Sequence, residues 1–204
     1  MTRPNGEGSA KHSSSRLSYP VDEMYVDPDP ECDEEGWGTA RSAAVAVAAA
    51  AAFGGGYVAT YGVDRYLTYT ESLGPHGVVV QFGVVAALVA LHEAVHAVAY
   101  AAVGGLSWDE IAVEVELDFE DGLDPLHHSV HPARPVRRRA YYVGVVAPGV
   151  LLGILPATVG LATGSALATF VGLVGLLLIS TDVGTLVEVW RHPETMAAAE
   201  PTRR

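Results

Sequence analysis

Four long apolar stretches, at about residues 42–63, 77–103, 141–161 and 166–190, dominate the pattern of the chain. Each is close to or longer than the roughly 20 helical residues that cross a hydrocarbon layer of about 30 Å. Their length, near absence of charge and abundance of Gly predict transmembrane helices rather than the buried helices of a soluble protein. Between the second and third stretches the period changes. Residues 111–120 read Ile-Ala-Val-Glu-Val-Glu-Leu-Asp-Phe-Glu, so that Ile111, Val113, Val115, Leu117 and Phe119 share one face of a half-buried strand. Asp121-Gly122 supplies a turn, and residues 126–130 can return as a second strand before Pro132 ends it. The pattern predicts an all-α membrane protein with about four transmembrane helices and a small cytoplasmic β-hairpin between the second and third.

The polar segments set the ends and the orientation. Residues 1–40 combine many acids with Ser, Pro and Gly and only Arg3, Lys11 and Arg16 as bases. That composition buries too little apolar surface to offset chain entropy, so it reads as a disordered acidic tail. Residues 41–192 form the membrane domain and 193–204 a short C-terminal tail. The start lacks the basic, apolar and small-residue succession of a secretory signal peptide. Arg41 precedes the first span, Arg137, Arg138 and Arg139 precede the third, and Arg191, Arg203 and Arg204 follow the fourth, whereas residues 64–76 carry only Arg65. The positive-inside bias predicts a multi-pass protein of the cell membrane with both termini cytoplasmic. Trp108, Tyr141, Tyr142 and Trp190 then lie at the cytoplasmic interface, where aromatic rings collect. Gly149 and Gly153 in the third span, and Gly172 and Gly175 in the fourth, allow helices to approach closely.

Half of the residues are hydrophobic, yet the formal net charge is -12. Apolar and charged residues are therefore segregated along the chain. The acid excess argues against a nucleic-acid partner, which needs a basic face. Lys11 is the sole lysine beside eleven arginines, and with the abundant Asp and Glu the composition is halophile-like. Cys32 is the sole cysteine, which excludes an intrachain disulfide and a thiolate zinc cluster. Any metal must be held by His and carboxylate.

The second stretch carries such a set. It reads Leu91-His92-Glu93-Ala94-Val95-His96-Ala97, an H-E-x-x-H pattern on a helix. His92 and His96 stand one turn apart, about 40° around the axis, so both imidazoles project to one side and can share an ion. Glu93 beside them is placed as the catalytic base, taking a proton from the attacking water and delivering it to the leaving amine. Ionisable groups inside a span cost on the order of 2.5 kcal/mol or more each when unpaired, and three sit together here. Catalytic zinc takes three protein ligands and keeps one position open. Asp182 in the fourth stretch is the candidate third ligand. Counted from Gly77, His92 lies about 22 Å down the second helix, and from Ala166, Asp182 lies about 24 Å down the fourth, so both reach one level in the cytoplasmic half of the bilayer. His127, His128 and His131, in the segment between the second and third spans, are the competing ligands.

These features resemble the site-2-protease-like intramembrane zinc metallopeptidases, and more closely the related compact families predicted to be membrane zincin peptidases. The resemblance covers about residues 78–190. It rests on His92, Glu93 and His96 in a membrane helix, on Ala147-Pro148-Gly149 opening the third span after a basic stretch, and on Asp182 late in the last span. It implies one Zn2+ per chain held by His92, His96 and an aspartate from a later helix, which Asp182 matches. It also implies hydrolysis of membrane-associated protein or peptide substrates near the cytoplasmic face. The chain lacks the Asn-Pro signature that precedes this aspartate in better-studied members and has no recognisable PDZ segment. A protein processing membrane substrates must hold them extended, and an exposed edge of the expected hairpin can do so by strand addition. Two other classes use the same ligands: a non-catalytic metal-binding membrane scaffold, and a metal-sensing or metal-transporting membrane protein.

Overall fold

A computed structural model describes residues 25–26, 39–116, 127–191 and 197–198. The elements run β1 (Tyr25–Val26), α1 (Thr39–Tyr61), α2 (Val63–Ser72), α3 (Gly77–Gly104), β2 (Ile111–Glu116), β3 (His127–Pro132), β4 (Val136–Arg137), α4 (Arg138–Pro148), α5 (Leu155–Thr163), α6 (Ala166–Leu178), α7 (Ser180–Arg191) and β5 (Ala197–Ala198). A π-helical stretch, Gly149–Ile154, joins α4 to α5. Three continuous helices are long and apolar enough to cross a membrane: Ala40–Tyr61, Gly74–Gly104 and Arg138–Thr163. A fourth, Ala166–Leu178 with Ser180–Val187, qualifies as a pair bent by 44°. The remainder of the expected tail, residues 1–24 and 27–38, and residues 117–126 with the expected Asp121-Gly122 turn lie outside the described residues.

α6 is the central helix, packing on α1, α3, α5 and the π-helical stretch. Small residues make this possible. A Cβ on Gly172 would collide with the backbone of Ala157, one on Gly175 with the carbonyl of Leu152, and one on Gly160 with Thr169. Backbones meet there with no side chain between them, as the glycine pairs of the last two apolar stretches anticipate. The turn between α5 and α6 is closed at Gly164, whose φ of 69° lies in the left-handed region open to glycine. Its carbonyl accepts from the Tyr57 hydroxyl at 3.1 Å and from Arg65 Nε at 2.7 Å. The Tyr61 hydroxyl donates to the Leu161 carbonyl at 2.9 Å. Three side chains of α1 and α2 thus tie that end of the bundle to the carbonyls at the end of α5, which the helix itself leaves unsatisfied.

Two features depart from the sequence expectation. Between the first two apolar stretches, where no helix is expected, lies α2, which buries none of its residues in the protein. The fourth apolar stretch is not one helix; it breaks at Ile179, and Asp182 falls in the first turn after the break.

At the opposite end, β2 and β3 form the antiparallel hairpin, in register from Ile111↔Pro132 to Glu116↔His127. Residues 111–116 form a strand as expected, but the expected apolar face is not buried along its length: Ile111 is buried, whereas Val113, two residues on, is 65% exposed. Ile111 and Val130 join Tyr100, Leu106, Val136, Tyr141, Val145 and Val189 in one apolar cluster, which fastens the hairpin to α3, α4 and α7. Its base is clamped by Glu110, which accepts from Ser107 N–H and Oγ, both at 3.0 Å, and from Arg134 Nε at 2.7 Å. These bonds hold the Glu110 carboxyl down to about 2, with the Ser107 N–H the largest cause and Arg134 next. A second small sheet runs β4-β1-β5, both pairs antiparallel, and so joins Tyr25–Val26 to Val136–Arg137 and Ala197–Ala198.

Candidate metal centre

α3 is apolar for most of its length, so the polar face at His92 and His96 must be satisfied by its neighbours. Both imidazoles are buried, at 4% and 5% exposure. They turn to the same side, with Nε2 atoms 3.1 Å apart. The bend at Ile179 brings in the third group. Asp182 Oδ2 lies 3.1 Å from His92 Nε2, and Oδ1 lies 3.3 Å from His96 Nε2. The position in the first turn of α7 suits a carboxylate, because the free N–H groups there carry partial positive charge. α7 is held in place by α1, where Ser42, buried at 2% exposure, leaves its Oγ 3.1 Å from where a Cβ on Gly184 would stand.

The arrangement fits a divalent cation on two observations. First, metal–ligand distances of about 2.0–2.1 Å in a tetrahedral site place ligand atoms about 3.3 Å from one another. The two Nε2 atoms stand 3.1 Å apart, each has an Asp182 oxygen at 3.1 or 3.3 Å, Oδ2 for His92 and Oδ1 for His96, and one ligand atom from each of the three residues lies within 4.8 Å of the others. Second, their hydrogen bonding is incomplete. Gly144 can only accept through its carbonyl, so His96 Nδ1, at 3.0 Å, must be the donor. In the neutral ring Nε2 then bears a lone pair that faces a carboxylate. Asp182 Oδ2 is buried and, among the described residues, makes no hydrogen bond despite its closeness to His92. Lone pairs gathered around a point are reconciled by a cation there. Two imidazoles and a carboxylate suit zinc, with one position left open.

Among the described residues, the group of donors that converges in this way is His92, His96 and Asp182. His131 is partly buried in β3 and is not part of it; the side chains of His127 and His128 lie outside the described residues. Glu93 is half-buried on the same turn of α3 as His92. Sequence reasoning passed over Tyr100, whose ring lies nearly parallel to that of His96, at 6.3 Å between centroids and 16° between planes. A signal existed, since Tyr100 follows His96 by four residues and so continues its face. No sequence signal marks Gly144 as the partner of His96.

The apolar helices thus enclose a His-His-Asp donor set that could hold a metal ion. The chain belongs to the family described as "putative zincin peptidase", whose model matches residues 85–197, more than half of its length. No curated protein and no solved structure matches the chain.

Proposed function

We propose that the protein is a zinc metalloendopeptidase of the membrane, cleaving membrane-associated proteins or peptides near the cytoplasmic face. The observation that carries this reading is the convergence of His92, His96 and Asp182 from two apolar helices on one point. His92, His96 and Asp182 would hold zinc there, which would supply Lewis-acid chemistry for a carbonyl and for a water near neutral pH. Glu93 is the base that takes the proton of the attacking water and returns it to the nitrogen of the leaving amine. His96 is held for its part by the Gly144 carbonyl, which fixes the ring and leaves Nε2 free.

Membrane placement is supported by what the apolar helices leave uncovered. In the most apolar windows of Ala40–Tyr61 and Gly74–Gly104 only 11% of residues are buried within the protein. Val78, Val79 and Phe82 on α3 stand open to the surroundings. In water so large an apolar surface would drive association; in lipid it is solvated. The arginine distribution supports a reading in which both termini are cytoplasmic.

The hairpin supports a way of holding substrate. Pro132 has no N–H, and Ala133 N–H donates to Glu110 O at 2.8 Å. Ile111↔Pro132 is therefore a pair without mutual hydrogen bonds, and the alternation makes Val113↔Val130 another. In such pairs the backbone groups point away from the partner strand. Val113 accordingly offers its N–H and C=O to the outer edge of β2, where an extended peptide can add as a further strand.

The test compares wild type with Glu93→Gln in proteoliposomes loaded with a membrane-protein extract, reading new N-termini by mass spectrometry. Wild type should generate termini that vanish on chelation and return with zinc. Glu93→Gln should lose activity by about 10²–10⁴-fold, the usual contribution of a positioned base, while still binding zinc. Equal activity of the two proteins, or no zinc-dependent termini from wild type, would rule out the hydrolytic reading.

A further inference from the structure

Two backbone properties of one residue bear on the metal centre from α4. The Gly144 carbonyl accepts the buried hydrogen bond from His96 Nδ1, a contact between residues 48 apart in the chain. Gly144 also has no Cβ, and the space a Cβ would take is filled by Tyr100. A Cβ there would stand 2.5 Å from Tyr100 Cδ1 and 2.6 Å from Cζ, and closer still to Cε1. Tyr100 cannot readily withdraw. It is 2% exposed, and its ring lies between that of Tyr141, at 6.1 Å between centroids, and that of His96, at 6.3 Å and nearly parallel. An added methyl must therefore displace the Tyr100 ring that neighbours His96 or push α4 away from α3, which lengthens the bond to His96. The second histidine has no comparable support: among the described residues His92 Nδ1 is buried without a hydrogen-bond partner.

We propose that Gly144 is a positioning residue of the metal centre, its carbonyl orienting His96 and its missing side chain admitting the Tyr100 ring that braces His96. This rests on the His92, His96 and Asp182 reading of the centre and adds the means by which α4 sets its geometry. Simple close packing of two helices would explain the missing Cβ but gives it no bearing on the ion. Gly160 separates the two ideas. It makes an equally tight crossing, against Thr169 between α5 and α6, and touches none of the three donors.

The experiment uses the full chain in detergent. Zinc affinity is measured by competition with a chromophoric chelator, and ligand geometry by the visible spectrum of the cobalt-substituted protein. Outer ligand-supporting contacts typically change metal affinity by about 10–100-fold. Gly144→Ala should weaken zinc by about that factor and shift the cobalt bands, while Gly160→Ala should stay within about threefold of wild type. Gly144→Ala that binds zinc like wild type, or Gly160→Ala that loses as much, would overturn the proposal. A second comparison holds even if Gly144→Ala alone does not fold. Once Tyr100 is reduced to Ala the methyl has room, so Gly144→Ala/Tyr100→Ala should match Tyr100→Ala in zinc affinity within about threefold. A double variant much weaker than Tyr100→Ala would refute the role assigned to the missing Cβ. Wild type that stays empty in excess zinc, or keeps zinc in His96→Ala, would remove the metal-centre reading itself; zinc lost in His96→Ala but kept in Gly144→Ala would overturn this inference alone.

Discussion

Replacing Asp182 with Ala tests the donor set at its charged member. Zinc bound by a complete set of protein ligands is worth about 10–16 kcal/mol at neutral pH, so one ligand of three or four carries roughly 3 kcal/mol, or about a hundredfold in affinity. The geometry adds to this figure. Asp182 is the sole acid among the three donors, and its Oδ2 lacks a hydrogen bond that a cation would replace. Its removal also relieves the crowding of lone pairs in the metal-free protein, which lowers affinity further. Asp182→Ala should therefore weaken zinc by about a hundredfold or more, and Asp182→Asn, which keeps one oxygen but no charge, should fall between. Chelator competition in detergent gives the constants, and circular dichroism checks that the helices persist. If Asp182→Ala holds zinc as tightly as wild type while His92→Ala loses it, Asp182 is not a ligand, and the third donor must be sought among His127, His128 and His131.

Other outcomes follow from the same contacts. Glu110 has a depressed carboxyl, so its stabilising bonds are fully present above the ordinary value of 4.5 and are lost as pH falls through about 2; carbon NMR of the side-chain carboxyl should show a midpoint near 2, moving up in Arg134→Ala, and a midpoint near 4.5 in the intact protein would refute the clamp. The Gly164 carbonyl has two donors, Tyr57 and Arg65, so Tyr57→Phe and Arg65→Ala should each cost about 0.5–1.5 kcal/mol in unfolding experiments, and the double variant should cost more than their sum because the carbonyl is then left bare; strict additivity would count against a shared acceptor. Proline is tolerated where a strand N–H faces outward, so Val113→Pro should leave zinc affinity unchanged and slow the appearance of new N-termini by about tenfold; undiminished cleavage would refute substrate addition at β2.

Sequence alone determined the features that depend on neighbours along the chain. The apolar stretches are legible because a run of apolar residues long enough to span a membrane stands out in sequence, and the hairpin because residues 111–116 alternate with the period of a strand. His92 and His96 are legible as a pair because four residues make one helical turn, whatever surrounds them. Only the tertiary structure decided which groups complete the centre. Asp182 stands 86 residues from His96 in the numbering, and equal depth from the ends of two helices does not say which faces meet; the break at Ile179, invisible in an unbroken apolar run, turns Asp182 towards the histidines. α2 escaped notice although Val63, Tyr66 and Leu67 recur at helical spacing, because the segment is only ten residues long and polar on average between two far more apolar stretches. Gly144 and Tyr100 escaped for a different reason. A backbone carbonyl has no sequence signature, and the need for a missing Cβ arises only when another helix brings a ring to that spot, so the packing of α3 on α4 decides it.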